Sequence, residues 1–201
     1  MTSQAESFSN LRGAQPENVS QIAPLMIEAG GGFYEFLFEG LGPGSALLQF
    51  LNQAISADEG AYSWKNCLVA DRGGHLSGFA NAFPAWLLRE QNFGSIPQER
   101  LAHFVPIIEV MDWESFFLSS IAVLPNDRGH GVGQALLEGT LTKAMQLGFQ
   151  NVTLQVWEGN ELARRLYERH GFAVVRTAIL APHPMLPDTR SLLMRCELAE
   201  D

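Results

Sequence analysis

Apolar positions along the chain recur with two different periods, and the switches between them mark out the elements. Phe8 to Ala14 reads as a short strand. Val19, Ile22, Ala23, Met26 and Ile27 then follow helical spacing, opening at Pro16-Glu17, where proline suits a first turn, and stopping at Gly30-Gly31-Gly32. Phe33 to Phe38 is aromatic and is either a mobile, greasy lid or a helix packed on a sheet. After Gly40, Gly42, Pro43 and Gly44, Ser45 is placed to cap a helix reaching Ala57. Asn66 to Ala70 and Leu76 to Phe83 are strand-like runs across Asp71-Arg72-Gly73-Gly74, a hairpin signal. The connection from Pro84 to Asp112 carries Pro97, Pro106 and the Ile107-Ile108 pair, and is too long for a bare loop, so it is expected to hold some helix.

Phe116 to Leu124 is nearly continuous in apolar and small residues, as a central strand buried on both faces would be, and Pro125-Asn126-Asp127 ends it. Val132 to Leu147 is helical, with Leu137, Leu141 and Ala144 on one stripe, and closes at Gly148. Asn151 to Trp157 alternates as a strand. Asn160 can cap a helix from Glu161 to Arg169, ended by His170-Gly171. Phe172 to Leu180 and Ser191 to Leu198 supply two last strands across a crossing that contains Pro182, Pro184 and Pro187.

Composition narrows the function more than the fold. The 201 residues, 46% of them hydrophobic, match one compact domain. A net charge of −9 disfavours non-specific binding to nucleic acid or an anionic membrane and suits a cationic partner. Cys67 and Cys196 stand alone, with no disulfide framework or zinc spacing, and no metal is expected from the histidines either. No signal peptide and no run of ~20 apolar residues is read, so the expected setting is the cytoplasm, away from membranes. Between Arg12 and Lys65 there is no basic residue, while Glu17, Glu28, Glu35, Glu39, Asp58 and Glu59 fall inside that interval. Arg164, Arg165, Arg169, Arg176, Arg190 and Arg195 crowd the other end. These are either solvated faces or an acidic substrate side and a basic phosphate side.

The strongest chemical signal is Arg128-Gly129-His130-Gly131-Val132-Gly133-Gln134, set between the buried strand and the helix. Backbone N–H groups without side chains, at a helix N-terminus, form an anion site suited to a pyrophosphate. A dinucleotide fingerprint starting at Gly129 would need glycine or alanine where Gln134 stands, and one starting at Gly131 meets Leu136.

The stretch Ile121-Ala122-Val123-x-Pro125-x-x-Arg128-Gly129-x-Gly131-Val132-Gly133 resembles the pyrophosphate-binding motif of the GNAT superfamily of N-acetyltransferases. Asn160-x-x-Ala163-x-x-Leu166-Tyr167-Glu168-x-x-Gly171-Phe172, starting 27 residues after Gly133, is similar to that family's other signature segment. The resemblance is clearest over 116–175. It implies an α/β fold with a mixed, largely antiparallel sheet of six or seven strands, splayed between the fourth and fifth, with about four flanking helices. It implies acetyl-CoA as co-substrate. The backbones of Ile121, Ala122 and Val123 would pair with its pantetheine arm, and Arg128 with the amides from Gly129, His130, Gly131, Val132 and Gly133 to Gln134 would hold its pyrophosphate, although Arg128 also reads as a salt-bridge partner of Asp127 or a neighbour. Asn160 would touch the pantetheine region and Tyr167 would stand near the thioester sulfur, although it also reads as a packed aromatic. Arg164 would approach an adenosine-side phosphate or simply lie on a solvated helix face.

The implied reaction is direct transfer of acetyl to a primary amine, on a small cationic molecule or a protein lysine or N-terminus. An ammonium of pKa near 10.4 must lose a proton first. Glu114, at the start of the fourth strand, is the candidate base, with water as the alternative. A backbone N–H would stabilise the oxyanion, and Tyr167 would protonate the departing thiolate. Glu35 is a candidate for attracting a substrate cation. A non-catalytic acyl-CoA-binding regulatory module is the other reading. The oligomeric state stays open, a homodimer included.

Overall fold

The computed structural model describes residues 11–43, 45–72, 75–91, 94 and 96–198. Seven strands form one sheet: β1 (Leu11–Gly13), β2 (Cys67–Arg72), β3 (His75–Pro84), β4 (Phe116–Val123), β5 (Asn151–Trp157), β6 (Ala173–Ile179) and β7 (Arg190–Glu197). Their order is β1-β2-β3-β4-β5-β7-β6, and all neighbours are antiparallel except β4 and β5. The first residues of the expected strand from Phe8, the hairpin tip at Gly73-Gly74, and Gly44 lie outside the described residues.

Four longer helices flank the sheet: α1 (Val19–Gly30), α3 (Ala46–Ser56), α6 (Val132–Gln146) and α7 (Glu161–Arg169). Three six-residue helices are added, α2 (Phe33–Phe38), α4 (Gln98–His103) and α5 (Val105–Val110). The aromatic segment is therefore a packed helix, and the long connection does hold helix: α4, α5 and a 3-10 turn over Ala85–Glu90. Ser45 stands at the N-cap of α3, but its hydroxyl accepts from Gln49 Nε2 at 3.3 Å and makes no capping bond to the backbone.

Alternation along the strands sorts the core onto two faces. Val69, Phe79, Phe83 and Phe117 pack with Ile22, Met26, Leu51 and Ile55 of α1 and α3 on the front. Leu118, Val152, Leu154 and Met194 pack with Leu136, Leu137 and Tyr167 of α6 and α7 on the back. Each large apolar side chain so buried contributes ~1.5–3 kcal/mol against exposure. A third cluster, Phe36, Leu37, Phe104, Ala178, Leu180 and Leu186, joins α2 to the β6–β7 connection, with Trp157 at its margin. Phe33 belongs to both front clusters, so α2 straddles the two halves of the sheet.

Strand β4 departs from regular pairing. Asn81 of β3 faces Ser120, yet Ala82 faces Leu118, so Ser119 is an extra residue bulged out of the ladder. The bulge shifts the parity of the strand: Leu118 and Ile121, three residues apart, both serve the back core. On its other edge β4 pairs with β5 only through Phe116↔Val152, Phe117↔Thr153 and Leu118↔Leu154. Beyond that point β4 stays with β3 as far as Val123, and β5 stays with β7 as far as Trp157. The sheet splits there, between its fourth and fifth strands.

Candidate active site

The split exposes one edge of β4, and the ladder decides which groups line it. Leu124 N donates to Ser77 O at 2.8 Å, which with the register Gly78↔Val123 and Phe79↔Ala122 makes Val123 a non-hydrogen-bonded pair with β3. Hydrogen-bonded and open positions alternate in such a ladder. The N–H and C=O of Ile121 and Val123 consequently turn toward the cleft, while those of Ala122 turn to Phe79. The expectation that all three backbones receive an extended ligand is corrected at Ala122, whose polar groups belong to the β3 ladder.

At the open end of the cleft a 3-10 turn over Pro125–Asp127 leads into the glycine loop. Gly129 and Gly131 hold φ of +76° and +85°, left-handed values that glycine adopts without a Cβ penalty. The first amide of α6 to reach an intrahelical carbonyl is that of Ala135, donating to Gly131 O at 2.9 Å. The amides ahead of it meet the helix's positive end without an intrahelical acceptor. A Cβ on Gly129 would touch nothing within 4 Å, and Gly133 packs against Leu166 and Val123 with a Cβ at 3.7 Å from each. The loop is thus open toward an anion and close-packed toward α7. This donor set fits the diphosphate of a coenzyme A, and the cleft-facing edge of β4 beside it fits an extended amide-bearing arm.

Arg128 follows its salt-bridge alternative, with Glu28 as the partner. Its Nε donates to Val123 O at 3.0 Å and its Nη2 pairs with Glu28 on α1, so the side chain ties the loop to α1 across the cleft mouth. Arg164 is likewise engaged locally, donating to Glu158 O at 3.0 Å and lying 3.7 Å from Glu168. Arg165 pairs with Glu161 and Arg190 with Glu158, both at 2.8 Å. Most of the basic segment past residue 160 is therefore matched by its own carboxylates, the solvated-face alternative. Asn160 Oδ1 accepts from Ala163 N at 3.2 Å, capping α7 just beyond the end of β5. His130 and Gln134 are exposed, and Gln134 Nε2 donates to Glu138 at 2.8 Å.

Tyr167 is buried on the back face, its ring 5.9 Å from that of Phe172. Burial pushes its phenol well above the usual value, so it keeps its proton at any working pH. Glu114 is not brought to the cleft. It is exposed just ahead of β4, at the end where β4 and β5 are still paired, and its N–H donates to Asp112 Oδ1 at 3.3 Å. At ~3.3 Å per residue it stands roughly 16 Å along the strand from Ser119.

The front of the cleft carries Glu35, a candidate from the sequence, beside groups that sequence patterns did not single out. Tyr34 of α2 lies beside Ser120, the residue after the bulge, and Tyr62; burial raises the Tyr34 phenol well above its usual value and Tyr62 to about 12. Glu35, next along α2, has a buried Oε2 without a hydrogen-bond partner among the described residues. His103 of α4 has a buried Nε2 with no hydrogen-bond partner among the described residues; burial and the neighbouring His183 lower its pKa. No motif encodes these groups, because α2, α4 and the crossing at 180–189 meet only when the sheet brings their ends together.

A sheet divided beside a parallel strand pair, with helix-start amides at its open end, is the arrangement that the sequence resemblance implies. The chain belongs to the GNAT acetyltransferase family, whose model, described as Acetyltransferase (GNAT) family, matches residues 47–172. It is 25% identical over 163 residues to the uncharacterized N-acetyltransferase YhfO of Bacillus subtilis, covering 81% of this chain and 89% of that protein. It is also 35% identical over 104 residues to N-alpha-acetyltransferase 40 of Saccharomyces cerevisiae, a match covering 48% of this chain and a third (33%) of the yeast protein. Among solved structures, an N-acetyltransferase from Staphylococcus aureus Mu50 superposes with a TM-score of 0.71 at 17% identity, over 93% of this chain and 100% of that one. An agmatine N-acetyltransferase superposes at 0.65 and 17%, over 94% and 99%. These likenesses carry the fold. Among the described residues no helix is long and apolar enough to cross a membrane.

Proposed function

We propose that the protein transfers acetyl from acetyl-CoA to a primary amine by direct attack within a ternary complex. The observation that carries this is the divergence of β4 from β5 beyond Leu118↔Leu154, with the cleft-facing edge of β4 leading to the glycine-loop amides. Acetyl-CoA supplies the acetyl group as a thioester, open to attack by an uncharged amine. The Ile121 and Val123 backbones line the arm's path, and an N–H on this edge of β4 holds negative charge on the carbonyl oxygen. Tyr167, protonated by virtue of its burial, stands on the α7 side to give a proton to the leaving sulfur. The front face receives the amine. The unpartnered Glu35 oxygen is matched in charge to an ammonium, and water carries away the proton that Glu114 is too distant to take. The basic-residue-free stretch from Arg12 to Lys65, which supplies α1 to α3, adds to a cationic preference.

Calorimetry with coenzyme A and turnover of acetyl-CoA with a panel of amines test this reading together. Gly129→Asp and Gly129→Asn make a matched pair, since both residues tolerate the left-handed backbone and the Cβ meets open space. The aspartate is expected to weaken coenzyme A at least ~10-fold more than the asparagine at equal melting temperature, through charge repulsion at the helix start. Equal affinities would remove the diphosphate from this loop. Binding without turnover of any amine would leave a non-catalytic acyl-CoA module.

A further inference from the structure

Gln155 holds a buried donor that no described residue satisfies. Its Oε1 accepts from the Ser191 hydroxyl at 2.7 Å, while its Nε2 is buried with no partner among the described residues. Buried donors are paired in nearly all folded proteins, so an orphan beside a cleft points to a group that arrives with a ligand. Its place in the sheet says which ligand. Gln155 is the residue after Leu154, the last of β5 paired with β4, and therefore sits at the apex of the split. Val152, Leu154 and Val156 serve the back core, so alternation turns Thr153, Gln155 and Trp157 to the front. Trp157 confirms that side, since a Cβ on Gly31, at the α1–α2 turn, would stand 3.4 Å from its ring. Ser191 belongs to β7, on the far side of β5 from β4. With its oxygen anchored toward β7, the planar carboxamide turns its nitrogen away from β7 and toward the gap.

The helix-start amides that fit coenzyme A open α6, on the back, so a front-facing donor at the apex meets the amine acceptor. An NH2 group offers only hydrogens and recognises an oxygen. We infer that Gln155 is a positioning residue that donates to a carbonyl oxygen close to the reacting nitrogen, so that the favoured acceptors are α-amino amides, peptide N-termini included, over plain alkylamines. This deepens the acetyltransfer reading and rests on it.

The test compares kcat/KM for alaninamide, an alanine-led tripeptide amide and isopropylamine, which lacks the carbonyl, in the native protein and in Gln155→Leu, Gln155→Glu and Ser191→Ala. Taking each variant against native for each amine cancels the differing amine pKa values. Gln155→Leu and Gln155→Glu are expected to lose about 10- to 100-fold on the two carbonyl-bearing acceptors and less than about 3-fold on isopropylamine. Ser191→Ala, which releases the anchor but keeps the donor, is expected to show the same selectivity more weakly, and coenzyme A affinity by calorimetry should not move. A larger native rate on the tripeptide than on alaninamide would assign the carbonyl to a peptide; the reverse would assign it to a small molecule. Equal losses on all three amines, or no loss, overturn the role of Gln155 while leaving acetyltransfer standing. Absence of turnover in the native protein with every amine overturns both.

Discussion

In the proposed reaction Tyr167 serves packing and chemistry together. The desolvation that makes it a core residue is also what raises its pKa, and a phenol that never ionises near neutrality can only be a donor toward a leaving thiolate. Tyr167→Phe should keep the fold and coenzyme A affinity while lowering kcat by ~10- to 100-fold, read by thiol release. In the native protein kcat/KM should climb with pH as the amine deprotonates, with no falling limb below pH ~10, because the proton on Tyr167 is lost only above its ordinary value. His103 carries the opposite sign. Burial beside His183 lowers its pKa, so the unfolded chain binds the proton more readily than the native one below pH ~6.5. Stability is therefore full above that pH and falls as the pH drops toward the native pKa. Melting temperatures between pH 7 and 5 should decline less steeply in His103→Phe, whose ring suits the surrounding contacts with Phe36 and Phe104.

At the scale of elements, the turn between α1 and α2 decides whether the front of the cleft is built. Gly31 closes α1 in the left-handed region, as glycine after a helix commonly does. Gly32 follows at φ +92°, and a Cβ there would lie 2.1 Å from Met185 O in the β6–β7 connection. Gly40 shares the positive φ, at +66°, but a Cβ there would meet open space. Gly40→Ala should cost only the ~1 kcal/mol of an unsuited backbone, whereas Gly32→Ala adds a collision with main chain and should lower the melting temperature several degrees further. It should also reduce turnover more than coenzyme A affinity, since α2 carries Tyr34 and Glu35 on the acceptor side. Gly129 shares that open space but stands ahead of α6, where the proposed diphosphate would bind.

For the whole molecule, the two core faces each hide one thiol. Cys67 lies in the front cluster with its pKa pushed up to about 12 by burial, and Cys196 lies in the back cluster with its pKa also raised. Neither is a nucleophile in the native state. A thiol reagent at pH 8 should label both only as fast as the protein opens, and saturating coenzyme A should slow that labelling, since a ligand that binds only the native state stabilises it. Labelling of either cysteine at the rate of a free thiol would show that its half of the sheet opens alone.

The pattern of the chain by itself determined the strands from Asn66 onward, the helix opening at Ser45 and the helix capped at Asn160, and the glycine loop at the start of α6. These depend on local periodicity, cap and turn chemistry, and backbone freedom at particular glycines, all written in consecutive residues. Tertiary structure decided what each group is used for. Arg128 pairs with Glu28, a hundred positions earlier, and Glu114 is carried to the closed end of the strands. Ala122 loses its cleft role to the parity of a ladder shifted by one bulge at Ser119. Gln155 and His103 have no motif at all, because an unsatisfied polar atom is a property of the finished packing: whether a donor finds its acceptor depends on which distant elements the fold sets beside it.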